Sequence, residues 1–138
     1  MEKQKYKLRH IALSVRDVAK TQKFLEDAFG MTKAGDAQNG IYMTDGTINI
    51  AVLNKKGSAP GIETGKEFYG VMHFGMWVDD LAQAEEQVKA AGATHFQGRA
   101  PNTPNSFYEV KYRDHDGIVF DITASGWRGA VKNVKPAD

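Results

Sequence analysis

An internal repeat constrains the fold of this 138-residue chain more than any other feature. The segment HIALSVRD from position 10 aligns with HFGMWVDD from position 73, so that His, Val and Asp coincide. In each copy, large apolar residues alternate with a second set that begins at the histidine. This alternation is typical of a half-buried β-strand. The sequence therefore predicts two copies of one small structural unit.

Each predicted strand leads into a helix. Asp17 and Asp80 are suitable N-caps, because a short side-chain oxygen accepts an unpaired backbone N–H of the first turn. Gly30 and Gly92 are placed to end the two helices. Three short strands are predicted after each helix, and the last two of each set are joined at Asp-Gly turns at 45–46 and 116–117. These strands are expected at about Thr32–Ala34, Ile41–Thr44, Thr47–Leu53, Thr94–Gln97, Phe107–Arg113 and Ile118–Thr123.

The predicted fold is therefore α+β, with two βαβββ modules. We expect the first module over residues 1–54, a linker rich in Gly, Ser, Pro and Lys over 55–66, and the second module over 67–123. Residues 124–138 form an extension without a clear period, which is expected to dock on the domain or on a second subunit. The Pro- and Asn-containing loop Arg99–Ser106 accommodates the extra length of the second module.

Composition excludes several functional classes. Eighteen basic and seventeen acidic residues leave a net charge of +1, which gives no electrostatic footprint for nucleic acid. No apolar run approaches the ~20 residues that cross a bilayer. The polar N-terminus lacks the apolar stretch of a signal peptide, so a cytoplasmic protein is expected. Cysteine is absent, so nitrogen and oxygen atoms would have to bind any metal.

Strand alternation places three potential metal ligands on one side of the sheet. If the apolar residues face the helices, then His10, His73 and Asp121 face the opposite side. Two histidines and a carboxylate form a facial triad suited to iron(II), and also to manganese, nickel or zinc. The alternative is that these polar residues line a metal-free ligand cavity, with Asp121 serving as a cap or as the partner of an arginine.

At these residues the chain resembles the vicinal-oxygen-chelate superfamily, which includes glyoxalases, methylmalonyl-CoA epimerases, extradiol dioxygenases, and bleomycin- and fosfomycin-resistance proteins. The resemblance covers Lys7–Thr123 and rests on the segments LRHIALSVRD, VMHFGMWVDD and RDHDGIVFDIT. It implies that the modules curl into a half-barrel around the metal, with the helices outside. It also implies a small-molecule substrate that chelates the metal through two neighbouring oxygens.

Two departures from the family pattern bear on the reaction. The last ligand is aspartate here, where the family usually has glutamate. Glyoxalase- and epimerase-type members have a fourth ligand on the last strand of the first module, and superposing the Asp-Gly turns puts Ile50 there, with Asn49 and Ala51 as neighbours. None of the three is a strong ligand, which resembles the three-ligand extradiol dioxygenases.

The remaining candidate residues are weaker. Tyr108 and Tyr112 share a face of the penultimate strand and are candidate catalytic groups if that face lines the cavity. His95 is a candidate base. Trp77 and Ser14 lie on the same side of the sheet as the histidines and are candidate substrate-binding residues, although Trp77 could equally fill the wall of the core.

These observations favour a metal-dependent enzyme for a substrate with vicinal oxygens, and within that class a ring-cleaving type of dioxygenase. One alternative is a non-catalytic protein that binds a drug or another small molecule. The other is an isomerase of the glyoxalase or epimerase type, which would need a carboxylate base that the sequence does not reveal. A homodimer is expected, because small members of the superfamily associate and because Trp127 and Val131 need a surface to cover.

Overall fold

A computed structural model describes residues 3–55, 67–98 and 107–135. The predicted loop Arg99–Ser106 and all but the first residue of the predicted linker 55–66 lie outside these ranges. The elements in chain order are β1 (Lys7–Ser14), α1 (Val18–Phe29), β2 (Thr32–Ala37), β3 (Gly40–Thr44), β4 (Asn49–Leu53), β5 (Gly70–Trp77), α2 (Leu81–Ala90), β6 (Thr94–Gln97), β7 (Val110–Arg113) and β8 (Val119–Thr123).

The strands form a single curled, unclosed sheet in the order β2-β3-β4-β1-β5-β8-β7-β6. Each half of this order is one βαβββ module, in which the first strand pairs in parallel with the last. The two modules meet where β1 pairs with β5 in antiparallel fashion. The α+β fold predicted from the repeat is confirmed.

Local capping sets the ends of both helices. The side chain of Asp17 accepts a hydrogen bond from the backbone N–H of Lys20, and Asp80 does the same for Gln83. Gly30 ends α1 in the left-handed conformation, at φ 67°, as predicted. The second helix ends at Ala91 in right-handed geometry, and Gly92, at φ 109°, turns the chain one residue later.

The sheet has an apolar outer face against the helices and a more polar inner face. Beneath α1 lies a cluster that includes Leu25, Met43 and Val52, and beneath α2 lies a second cluster around Val78 and Ile122. The alternation of β1, β5 and β8 therefore turns His10, His73 and Asp121 toward the inner face, where all three are buried. Among the described residues, no helix is long and apolar enough to cross a membrane.

Residues 124–132, here called the C-terminal strap, cross the inner face of the sheet and attach to both modules. In the first module, the Thr44 hydroxyl donates to the carbonyl of Gly129, and the N–H of Val131 donates to the carbonyl of Thr47. In the second module, the indole N–H of Trp77 donates to the carbonyl of Ala124. The extension thus docks on its own chain, which is one of the two arrangements expected from the sequence.

Two glycines allow a direct test of how closely the strap packs. Gly126 and Gly117 have almost the same φ, 82° and 81°, but a Cβ on Gly126 would overlap the ring of Trp77, whereas a Cβ on Gly117 meets nothing within 4 Å. We expect Gly117→Ala to cost about 1 kcal/mol through backbone strain alone. Gly126→Ala should cost about 1–3 kcal/mol more, because the added Cβ would lie 2.3 Å from the Trp77 ring and would force the ring or the strap to shift. Urea unfolding of the two variants measures this difference, and equal losses would contradict close packing of the strap.

Candidate metal centre

Three side chains from three strands converge at the seam between the modules. His10 Nε2 lies 3.3 Å from His73 Nε2, and Asp121 Oδ2 lies 3.1 Å from His73 Nε2 and 3.7 Å from His10 Nε2. These residues, here called the triad, are among the most buried polar groups of the described chain, with exposures of 3%, 6% and 0%. Their ligating atoms all lie within 4.8 Å of one another, which makes the triad a candidate metal site.

The triad has the chemistry that a divalent ion requires. Ligands at ~2.1 Å from one ion are separated by ~3.0–3.4 Å in octahedral or tetrahedral geometry, which is close to the spacings found here. Within the described part of the chain, Asp121 Oδ2 is one of four buried side-chain polar atoms without a regular hydrogen bond. Its nearest polar neighbour is His73 Nε2 at 3.1 Å, and a cation is well suited to stabilise a buried carboxylate oxygen with so few donors around it. Two imidazoles and one carboxylate therefore fit a divalent metal at this position.

Asn49 fixes the tautomer of His10. Its Oδ1 lies 2.7 Å from His10 Nδ1, and its amide group donates to the carbonyl of Arg128, so the oxygen faces the ring. His10 Nδ1 must then carry the proton. The lone pair is therefore on Nε2, which faces His73 and Asp121. Burial lowers the pKa of His10 to about 4, even though Asp121 opposes this shift. The imidazole is therefore neutral near pH 7, as a metal ligand must be.

A buried cation neutralises the other oxygen of Asp121. Lys111 Nζ lies 2.6 Å from Asp121 Oδ1, and the lysine side chain is only 12% exposed. Burial alone would raise the pKa of Asp121, but His73 and Lys111 outweigh burial and keep it below its ordinary value. Glu109 lies 3.6 Å from Lys111 through Oε1, and burial together with the charge of Asp121 raises its pKa. A second carboxyl group, which holds a proton more readily than usual, therefore lies close to Lys111.

Trp127 of the strap covers the triad. Its ring stacks on His10, with the centroids 4.7 Å apart and the planes inclined by 11°, and its indole N–H donates to Glu109 Oε2. Gly75 makes room for this ring, because a Cβ there would lie 2.7 Å from it. Beside Trp127 is a small cavity of about 130 Å³, lined by Tyr42, Phe107, Tyr108, Glu109, Gly126 and Trp127. A small planar molecule entering this cavity would meet aromatic walls and one carboxyl group.

The fourth-ligand position of the family is Ala51. Asp121 pairs with Gly75, two residues after His73, and Ala51 pairs with Ala12, two residues after His10. The prediction of Ile50 is wrong by one residue, because two residues lie between Gly46 and the start of β4 and only one lies between Gly117 and the start of β8. The side chain of Ile50 packs in the cluster beneath α1. The first module therefore presents a methyl group where four-ligand members present a donor.

The structure does not bring Tyr112 or His95 to the triad. Tyr112 is buried in the cluster beneath α2, and its hydroxyl donates to Glu85. The expectation that it faces the cavity is wrong, because Lys111 and not Tyr112 is directed inward from β7. His95 is exposed on β6, the edge strand, where its ring packs edge-on against Tyr112 and Nε2 lies 2.9 Å from the carbonyl of Gly98.

The remaining predicted site residues are Tyr108, Trp77 and Ser14. Tyr108 lines the cavity beside Trp127, as a catalytic role would require. Trp77 is on the inner face, where its ring packs against Gly126 of the strap. Ser14 is buried and its hydroxyl is among the unpartnered atoms of the described chain, but it lies four residues, or ~13 Å, along β1 from His10.

Sequence reasoning missed Asn49, Glu109 and Lys111 as site residues. Alternation carried a signal for two of them, since in the predicted strand Phe107–Arg113 the residues Glu109 and Lys111 share one face and Val110 and Tyr112 share the other. The signal for Asn49 was its position directly beside the expected fourth ligand.

The sequence matches the model of the glyoxalase/bleomycin resistance protein/dioxygenase superfamily over residues 7–122. The chain therefore belongs to this superfamily, as its motifs suggested. No curated protein matches the sequence significantly.

Solved structures of several superfamily activities share the fold. A Mn(II)-bound glyoxalase from Novosphingobium aromaticivorans superposes with a TM-score of 0.66 at 16% identity, over 96% of this chain and 43% of that one. A 2,3-dioxygenase from Pseudomonas sp. KL28 gives 0.61 at 16% identity, over 90% and 42%. Methylmalonyl-CoA epimerase from Mycobacterium tuberculosis gives 0.60 at 15% identity, over 83% and 85%. The chain thus spans less than half of the glyoxalase and dioxygenase chains, and these identities establish the fold alone.

The contact between Asn49 and His10 predicts a measurable effect on metal binding. Asn49→Ala frees the His10 ring to rotate, and loss of such an orienting partner typically weakens metal affinity 10–100-fold, so we expect a loss of about that size. Thr44→Val is the matched control, because it removes another hydrogen bond from side chain to strap without touching His10. Competition of both variants with a chromophoric chelator for Co(II) measures the affinities. Equal losses would assign the effect to the strap and not to His10.

Proposed function

We propose that this protein is a metal-dependent enzyme acting on a small molecule with two neighbouring oxygens. The observation that carries the proposal is the convergence of three buried ligating atoms, from three different strands, within 4.8 Å of one another. His10, His73 and Asp121 would bind a divalent ion, with iron(II) favoured and manganese, nickel or zinc as alternatives. When bound, such an ion polarises the two substrate oxygens as a Lewis acid and, if it is iron(II), gives the site reactivity toward O₂.

The residues around the triad would prepare the site for a substrate. Asn49 keeps the lone pair of His10 aimed at the triad, and Trp127 keeps water from the same face. Tyr42, Phe107 and Tyr108 give the adjoining cavity aromatic walls that suit a planar ring. Glu109 is the nearest group able to take or return a substrate proton, since its raised pKa lies closer to neutrality than that of an exposed glutamate.

Within this class, a dioxygenase of the ring-cleaving type is our first candidate. Ala51 offers no donor, so three protein ligands leave room at an octahedral ion for both a bidentate substrate and a further small molecule. The aromatic walls of the cavity favour the same assignment. Several of the solved structures that share the fold are dioxygenases, at 13–20% identity, which is consistent with this candidate but establishes only the fold.

An isomerase is the second candidate, and Glu109 is the observation that favours it. Epimerisation and glyoxalase-type chemistry need a base beside the polarised carbonyl, and Glu109 is a half-buried carboxyl that directly precedes β7, the strand adjacent to β8, and has a raised pKa. A non-catalytic protein that binds a drug is the remaining alternative, since it could use the same cavity.

Metal analysis and two assays separate these functions. The protein is purified without oxygen, loaded with Fe(II) or Mn(II), and tested for catechol-dependent O₂ uptake and for exchange of substrate α-protons with deuterated solvent. We expect O₂ uptake, and we expect His10→Ala or His73→Ala to reduce it at least ~100-fold with unchanged circular dichroism, because the fold rests on the outer apolar clusters. Exchange without O₂ uptake would favour the isomerase. Tight binding of small molecules by a protein that takes up no metal would exclude both enzymes.

The homodimer remains a prediction. Of the two residues expected to need a covering surface, Trp127 is buried against His10 within its own chain. Val131 stays 44% exposed. We expect light scattering at micromolar concentration to report twice the monomer mass of 15.2 kDa. Val131→Asp should shift this value toward the monomer if the strap contributes to the interface, whereas a monomeric wild-type protein would contradict the prediction.

A further inference from the structure

Lys111 is the one cation, among the described residues, that contacts the triad. It pairs with Asp121 across β7 and β8, and this register places both side chains on the inner face. Its ammonium lies 2.6 Å from Asp121 Oδ1, while the other oxygen, Oδ2, faces the two histidines. The two oxygens of the carboxylate therefore have different neighbours. Oδ1 contacts the lysine, and Oδ2 faces the two histidines.

The ion pair between Lys111 and Asp121 has two electrostatic consequences for a divalent ion at the triad. Asp121 can offer the ion only one oxygen, and its negative charge is already balanced by Lys111. The ion also experiences repulsion from an ammonium group in a buried, poorly screened environment. Two neutral histidines, Asp121, Lys111 and a divalent ion sum to +2, whereas the same set without Lys111 sums to +1. Glu109 lowers either total by at most one.

We propose that Lys111 is a specificity-determining residue that selects doubly negative chelating substrates at the expense of metal affinity. The inference rests on the proposed metal-dependent function and deepens it by naming a substrate class. Because Lys111 balances the charge of Asp121, the ion keeps more of its own positive charge. That charge attracts a ligand with two anionic oxygens, such as a catecholate or a dicarboxylate. A neutral or singly charged chelator gains less from the same field.

A merely structural role for Lys111 predicts the opposite change in metal binding. If the lysine only held Asp121 in position, its removal would disorder the carboxylate and weaken the binding of any ion. If it lowers the affinity through its charge, its removal strengthens metal binding. The sign of the change therefore separates the two roles.

The test uses two variants and one control. Lys111→Met keeps an unbranched side chain of similar length without the charge, and Lys111→Gln also keeps a hydrogen-bond donor toward Asp121. Lys33→Met is the control, because it removes the same charge from an exposed ion pair with Asp36. Circular dichroism and thermal unfolding verify that each variant is folded. If Lys111→Met does not fold because Asp121 loses its partner, Lys111→Gln carries the test.

Two affinities are measured without reference to catalysis. Co(II) affinity is measured by competition with a chromophoric chelator, and binding of oxalate, a dianion, and lactate, a monoanion, is followed in the Co(II) absorption spectrum. For both Lys111 variants we expect Co(II) affinity to rise ~10-fold and the preference for oxalate over lactate to fall ~10-fold. Lys33→Met should change either value less than ~2-fold, because the pair is exposed and screened.

Each other outcome contradicts the inference in a recognisable way. Weaker Co(II) binding by both variants would assign Lys111 a structural role. Tighter Co(II) binding with an unchanged preference for oxalate would overturn the claim about substrate charge while leaving the metal site in place. Absence of Co(II) binding by the wild-type protein would overturn the proposed function, and the inference with it.

Discussion

A carboxylate that is sealed from water must be matched by neighbouring donors or cations, and Asp121 places this demand at the centre of the sheet. Its side chain is fully buried. One oxygen is matched by Lys111 from β7, and the other faces the imidazoles of His10 from β1 and His73 from β5. Four strands, drawn from both modules, therefore contribute side chains that meet at this carboxylate. The antiparallel seam between β1 and β5 is the place where this is possible.

A segment outside the repeat completes the site. The C-terminal strap supplies Trp127, which stacks on His10, and the carbonyl of Arg128, which orients Asn49 so that its oxygen faces the same histidine. The duplicated modules alone would leave this side of the triad open to water. Because the strap bonds to both modules, the environment of His10 depends on residues more than a hundred positions away in the chain.

The fold and the triad could be predicted because the alternation of apolar and polar residues in the strands determines which face packs against the helices. In β1 and the residue that follows it, Ile11, Leu13 and Val15 alternate with smaller or polar residues, so the outward face is unambiguous. In β7, large residues occupy both faces, and alternation shows which residues share a face but not which face turns inward. Tyr112 was therefore assigned to the cavity, although the need to neutralise Asp121 places Lys111 there. The strap has no periodicity, so neither its path nor its contact with His10 could be predicted.

The methyl group of Ala51 gives the duplicated architecture a further property. The two modules are equivalent in backbone, yet one provides a carboxylate at this position and the other provides none. Every alanine codon is one base from a codon for aspartate or glutamate, so one nucleotide substitution would place a carboxylate at this buried position, next to Ala12 and Met72. The equivalence of the two halves thus leaves this scaffold one mutational step from a different number of protein donors at the same site.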